Sequence, residues 1–376
     1  MTIKKENRHG RKGWRVRAQR LVNDKPVSTD KTFDSYKEAS AYETKWLNEV
    51  RTGIVNKDGN QKWGDYARLW LQNLIGVSEK TRESYEYKVK NVMPHLKHHK
   101  LKEINNSDIK RVMRMMWKDG YSRTTMQHAF KVIKAILDQA LLDGIIVRNP
   151  CSTFKKTTNM TLQHTKEPRA LSKWDQNIFV KNMLSMSTKG IYEHGLYAFS
   201  CIALYTGMRR GEIACLEWED IDLDNHYIGV SKSATQLKDR VIIKEPKTKA
   251  GYRKIKIDQR LRDILVKYKA AHKRFYLQQG IIPIYNWVFP TPNNEMQKPN
   301  LWSHRINDYM KKWDIDHTLH DLRHTHASNL LMYNFPLTEL SMRLGHADPQ
   351  ITLRVYSHFV TGMESDIDEY MTQVGT

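Results

Sequence analysis

The sequence predicts a multidomain α+β chain. A small N-terminal three-stranded sheet with one helix is followed by an all-helical middle. A larger, mainly helical final domain then carries a small antiparallel sheet. Three observations support this. Apolar and basic residues alternate over Trp14–Arg20, the period of a half-exposed strand. From Trp63 to Leu142 apolar residues recur at helical spacing between serine caps and glycine breaks. Beyond residue 170 apolar helices resume, interrupted by short strand-like runs. Two polar stretches, Gly53–Gly59 and residues 151–169, read as linkers, so domains are expected at 1–55, 62–153 and 170–376.

In the first domain Val27–Phe33 can return from Trp14–Arg20 across a turn at Asn23-Asp24-Lys25. Ser35 and Glu38 open a helix over residues 35–50, with Ala39, Tyr42, Trp46 and Leu47 on one face. Arg15, Arg17 and Lys31 then read either as a minor nucleic-acid-binding surface or as an ordinary basic one. In the second domain Trp63, Tyr66, Leu69, Trp70 and Leu74 mark one amphipathic helix. Ser78–Met93, Ser107–Lys118 and Ser122–Leu142 mark three more, with serine caps and breaks at Gly120 and Gly144. Lys80 and Arg82, and Arg123 at a helix start, are candidates for phosphate contact, as helix N-termini favour anions. In the third domain Ser172 with Asp175 opens a helix, and Leu196–Tyr205 forms an apolar one. Tyr227–Val230, Arg240–Lys244 and Arg253–Ile257 read as strands, and the remainder as mainly helical.

Lysine plus arginine number 62 against 41 acidic residues over 376 positions, a net charge of +21. An excess of that size suits a polyanionic partner, because neutralised phosphates release condensed counterions. Apolar runs such as Gly144–Val147 fall far short of the ~20 residues of a spanning helix. Residues 1–20 are basic without an apolar centre, so no secretory signal is expected. Cys151, Cys201 and Cys215 have no metal-ligand spacing and fit a reducing cytoplasm.

Chemistry concentrates in the last domain. Gly207 can turn the chain so that Arg209 points into a cleft, where its planar guanidinium can grip two phosphate oxygens. Glu212 can orient that group. Lys247, between strand-like runs, is placed on a hairpin, where its ammonium can protonate an alkoxide leaving group; Lys249 is the competing choice. His320 and Arg323, three apart, share a helical face. A metal reading of His320, His324 and His326 lacks the H-E-x-x-H carboxylate. Asp348-Pro349 starts a helix that carries Tyr356 roughly two turns on, and His346 just before it can donate to a phosphate oxygen.

The ordered set Arg209, Lys247, His320 with Arg323, His346 and Tyr356 resembles the tyrosine recombinase (phage integrase) family. The Leu344-Gly345-His346 box and Pro246-Lys247-Thr248 look most like integrases of temperate phages and conjugative transposons of Gram-positive bacteria. The resemblance implies an arm-type DNA-binding domain, a helical core-binding domain and a catalytic domain, in that order. It further implies site-specific recombination through a 3′-phosphotyrosyl intermediate formed by Tyr356. Arg209 and Arg323 would stabilise the phosphorane, His320 would act as base, Lys247 would protonate the leaving oxygen, and His346 would brace the phosphate. Glu212 would support them. It implies no metal or nucleotide cofactor, a homotetramer on two DNA duplexes, and a DNA-bending host protein and an excision factor as partners. The setting it implies is the bacterial cytoplasm and nucleoid. Tail residues Ile367, Tyr370, Met371 and Val374 fall at helical spacing and can dock on a neighbour or on their own domain. The alternatives are a type IB topoisomerase-like relaxing enzyme and a non-catalytic DNA-binding regulator.

Overall fold

The computed structural model describes residues 2–8, 11–22, 25–51, 60–152, 169–246 and 248–360. Lys247 and the tail residues Ile367, Tyr370, Met371 and Val374 therefore lie outside the described residues. The chain divides into two compact units, Met1–Gln163 and His164–Thr376.

The first unit opens with an antiparallel sheet, β1 (Thr2–Arg8), β2 (Arg11–Val22) and β3 (Lys25–Phe33), in the order β1-β2-β3. Strand β1 holds one strongly apolar residue, Ile3, so the alternation that reveals β2 is absent from it. Helix α1 (Tyr36–Arg51) begins where the sequence places it, the Ser35 hydroxyl accepting from the Glu38 amide at 3.2 Å. Among the described residues four further helices follow in this unit: α2 (Trp63–Gln72), α3 (Glu79–Leu96), α4 (Asn106–Lys118) and α5 (Arg123–Leu142). They bury Trp63, Ile109, Met116, Ile133 and Ile136 in a common core. Ser78 and Ser122 cap α3 and α5 as expected. Two expectations change here. Helix α4 is capped by Asn105, not Ser107: Asn105 is extended, its side chain accepts from Asp108, and Asp108 returns a bond to its amide. Helix α3 also runs past Met93 through Pro94 to Leu96. Proline costs that turn one amide, but Lys97 still donates to Met93 and buried Leu96 holds the end in the core.

The second unit begins with α6 (Lys173–Ser187), capped by Ser172, and α7 (Ile191–Thr206), whose residues are buried almost throughout because other elements surround it. Phe199 of α7 stacks on Trp302 at 5.3 Å and meets Phe289 edge-on. After the short α8 (Arg210–Ala214) come β4 (Ile221–Asp222), β5 (Tyr227–Val230), β6 (Ser233–Gln236), β7 (Val241–Lys244) and β8 (Arg253–Lys256). Strands β4, β5 and β8 form one sheet and β6 and β7 another. The strands flanking Lys247 therefore do not pair with each other, contrary to the hairpin expected from sequence. Strand β7 is already taken by β6 across the tight turn closed by Leu237 N–H to Arg240 O at 2.8 Å. Residues Lys249–Gly251 form a 3-10 turn before β8. Helices α9 (Gln259–Gln279), α10 (Pro299–Lys312), α11 (Leu319–Met332), α12 (Leu337–Leu344) and α13 (Pro349–Val360) follow among the described residues.

The α4 cap gives a first expected outcome. Asn105→Ala should cost about 1 kcal/mol locally. Hydrogen exchange of the α4 amides should accelerate roughly fivefold, with little change in α5.

Candidate active site

Helix α7 ends on Thr206, whose hydroxyl donates to Ile202 O at 2.6 Å and accepts from the Met208 amide. Gly207 then turns with φ +68°. A Cβ there would lie 2.8 Å from both His326 and Leu344, so conformation and space each require glycine. The turn delivers Arg209 in extended conformation at the start of α8.

Glu212 ties three segments of the chain together. Its carboxylate accepts from the Arg209 amide at 2.8 Å and from the Arg209 guanidinium at 3.0 Å. It also accepts a two-pronged contact from Arg253 of β8, at 3.2 and 2.8 Å. Burial alone would raise this carboxyl, but the Arg253 bonds and charge, then Arg209, hold it below the ordinary range. Arg253 also donates to Arg343 O, and Arg343 to His326, Lys256 O and Tyr205 O, which fixes β8 against the ends of α7 and α12.

Arg323 of α11 is buried and donates to Gly207 O at 2.6 Å and Leu344 O at 2.8 Å. It thereby satisfies carbonyls exposed at two glycine turns, Gly207 and Gly345. Burial, then the nearby Arg209 charge, pushes it down to about 9, so it stays a cation at neutral pH. The Arg209 side chain, 42 % exposed, leaves part of its guanidinium open to an incoming anion.

His346 Nε2 lies 3.0 Å from the Arg323 guanidinium and Nδ1 2.7 Å from the Thr352 hydroxyl. A guanidinium only donates, so Nε2 is the acceptor and carries no proton to give a phosphate. Desolvation, then the Arg323 charge, lowers this imidazole to about 4. In this geometry His346 therefore links Arg323 to Thr352.

Helix α13 starts as expected, the Asp348 carboxylate accepting from the Gln350 amide at 2.8 Å. It packs on α11 and brings Tyr356 into the interior. The Tyr356 hydroxyl is 2.8 Å from His324 Nδ1. Burial raises this phenol to about 12, with Arg323 pulling the other way. His324 is lowered to about 4 by desolvation, then by His320. His320 is exposed and meets His324 edge-on at 5.0 Å. Desolvation by its neighbours, then Arg323, lowers it too. His326 is spent on Leu204 O and Arg343. Among the described residues no group of histidine, cysteine and carboxylate is arranged to hold a metal ion.

The structure thus gathers Arg209, Glu212, His320, Arg323, His346 and Tyr356 and adds His324, Arg253 and Arg343. Sequence spacing held only one hint of these additions: His324 lies one turn from His320.

The candidate DNA-facing bases are differently engaged. Arg15 is held by Asp30 and Glu6. Arg17 lies on the same face of the sheet, 78 % exposed. Lys31 pairs opposite Val16 in the register, so it lies on the other face, above the Tyr42 ring of α1. The three do not form one surface. Arg82 donates to Leu71 O and Leu74 O, tying α3 to the end of α2. Lys80 pairs with Glu83, and Arg123 lies over the Trp117 ring.

Fold and sequence together place the chain among DNA strand-transferring enzymes. The phage integrase family profile matches residues 179–361, and the phage integrase central domain profile matches residues 63–157. The chain belongs to the phage integrase family of tyrosine recombinases. It is 25 % identical to a XerC-like tyrosine recombinase of Caldanaerobacter subterraneus, over 98 % of this chain and 97 % of that one. It is 24 % identical to the ICEBs1 integrase of Bacillus subtilis, over 92 % of each. In fold it is similar to the Tn1549 transposon integrase solved with transposon right end DNA. That match has a TM-score of 0.67 at 21 % identity and covers 84 % of this chain and all of the other. A lambda integrase dimer bound to a core site gives 0.60 at 15 % identity, over 93 % of each chain.

The Glu212 network gives a second expected outcome. Because its folded pKa is depressed, Glu212 adds stability that is complete above the ordinary glutamate value of 4.5 and is lost as pH falls through the lower folded value. Glu212→Gln should melt lower than wild type at neutral pH, by about 3–5 kcal/mol if the buried pair is broken outright. The gap should narrow as pH falls below 4.5. Melting curves of both proteins across that range isolate Glu212 from the lowered histidines, which both share.

Proposed function

We propose that this chain is a site-specific DNA recombinase that integrates and excises a mobile element through a 3′-phosphotyrosyl intermediate. The observation that carries this reading is the gathering, within one subunit, of Tyr356 with Arg323 and Arg209, two cations held close together with Arg323 bonded to carbonyls rather than to a carboxylate. Two like charges so placed are relieved when a phosphate enters between them.

In this reading the Tyr356 oxygen attacks a backbone phosphorus, and the bond to the 5′-oxygen breaks. Arg209 and Arg323 stabilise the charge gathering on the phosphorane oxygens. Lys247 protonates the departing 5′-oxygen. Glu212 keeps Arg209 extended, and His346 keeps Arg323 aimed. His320, at the open side of α11, faces the phosphate. The broken bond is exchanged for a phosphotyrosyl ester of similar energy, so rejoining needs no nucleotide. Strand exchange between two duplexes requires four cuts, which four copies of this chain supply as a homotetramer. The net charge of +21 suits duplex attachment sites. The DNA complexes of the Tn1549 and lambda integrases support duplex DNA as the partner. In this reading Arg17, Lys31, Lys80 and Arg123 contribute phosphate contacts once DNA is bound. A DNA-bending host protein and an excision factor complete the partner set, and the bacterial nucleoid is the working location. No described helix is long and apolar enough to cross a membrane.

A suicide duplex, drawn from the DNA flanking the element and nicked beside the cleavage position, should trap wild-type protein covalently. Tyr356→Phe should abolish the adduct while leaving duplex affinity within about twofold. Arg323→Ala should slow adduct formation by roughly 10²–10³-fold. An adduct that persists in Tyr356→Phe would reject this nucleophile. Relaxation of supercoiled DNA without an attachment site would point to a topoisomerase instead.

A further inference from the structure

We propose that His324, rather than His320, takes the phenolic proton of Tyr356 as the phosphotyrosyl bond forms. The inference rests on the recombinase reading and adds a catalytic residue to it. Among the described residues His324 Nδ1 is the hydrogen-bond partner of the Tyr356 hydroxyl, at 2.8 Å. That hydroxyl belongs to a residue only 1 % exposed, so bulk water is poorly placed to receive its proton. His320 lies on the solvent side of His324, ring edge to ring face, and among the described residues no bond joins it to the phenol.

The protonation states agree with the geometry. His324 faces His320, Asp321 and Arg323 on its own helix, Tyr356 on α13 and His346 on the approach to α13. Desolvation leads these influences and leaves its imidazole neutral at neutral pH, with a lone pair available on Nδ1. The phenol, at about 12, and the imidazole, at about 4, are too far apart for the proton to move before attack. It moves as the oxygen commits its electrons to phosphorus, when the phenol's hold on the proton collapses. The step balances. The Tyr356 O–P bond forms and the P–O5′ bond breaks. The phenolic proton goes to His324 Nδ1, and a lysine proton goes to O5′. Religation reverses each transfer, so no other reactant is consumed. His324 is only partly buried, which lets its imidazolium exchange with solvent while the intermediate waits.

The test uses the full-length protein and two suicide duplexes. One has an ordinary scissile phosphate, and the other a 5′-bridging phosphorothiolate whose thiolate leaves without an acid. His324→Asn places an amide where Nδ1 stands, able to accept the phenol's hydrogen bond but unable to take its proton. On the phosphorothiolate duplex wild type should show a flat rate from neutral pH upward. His324→Asn should be slower by about 10²–10⁴-fold at neutral pH and should recover about tenfold per pH unit as hydroxide replaces the base. His320→Gln should keep the wild-type profile shape on this substrate. The inference is overturned if His324→Asn matches wild type in rate and profile, leaving His324 a positioning residue. It is also overturned if the wild-type rate itself climbs steadily with pH, a result that depends on no variant folding. If wild type forms no adduct on either duplex, the recombinase reading fails instead.

Discussion

Glu212 places a buried carboxylate between the guanidiniums of Arg209 and Arg253, and much of the site's geometry depends on that placement. Arg209 is drawn to the start of α8, and β8 is drawn to the same point from another part of the chain. Arg323 receives no carboxylate among the described residues. Its protons go to the carbonyls of Gly207 and Leu344, which fix its position without cancelling its charge. Burying a cation on neutral acceptors is costly, and an entering phosphate recovers part of that cost. The arginines are therefore held by hydrogen bonds without an anion present, the arrangement that electrostatic preorganisation uses.

The proposed nucleophile is held in the same manner. Tyr356 is a packed aromatic by burial and a poor nucleophile by acidity, with its phenol raised to about 12. Arg323 on α11 and His324 beside it supply, respectively, the charge that favours the phenolate and the lone pair that receives the proton. Adjacent residues on a helix point in different directions, about 100° apart. One turn of α11 can thus serve the phosphate with one residue and the tyrosine with the next.

Several residues that the sequence leaves ambiguous are resolved by their neighbours. Serine caps at Ser35, Ser78, Ser122 and Ser172 are local devices and were legible. The Asn105 cap was hidden by Ser107 two positions later, an equally good capping residue by type. The pairing of β7 with β6 was hidden because β6 is only four residues long and carries one buried side chain, Ala234. Arg253 and Arg343 look like surface bases in a chain rich in them. Their carboxylate and carbonyl partners far away in sequence reveal them as scaffold. Arg15 and Arg82 read as candidate phosphate contacts, yet carboxylates hold one and helix-end carbonyls the other.

The sequence by itself carried the excess of positive charge, most of the helices and the candidate set from Arg209 to Tyr356. Those depend on residue type and on spacing within a few turns, which a chain carries openly. Tertiary structure decided which histidine holds the phenol, which arginine is held by carbonyls instead of a carboxylate, and which strands enclose the lysine segment. Hydrogen bonds and ion pairs between positions tens to more than a hundred residues apart are set by how helices and strands pack, and no local pattern encodes that packing.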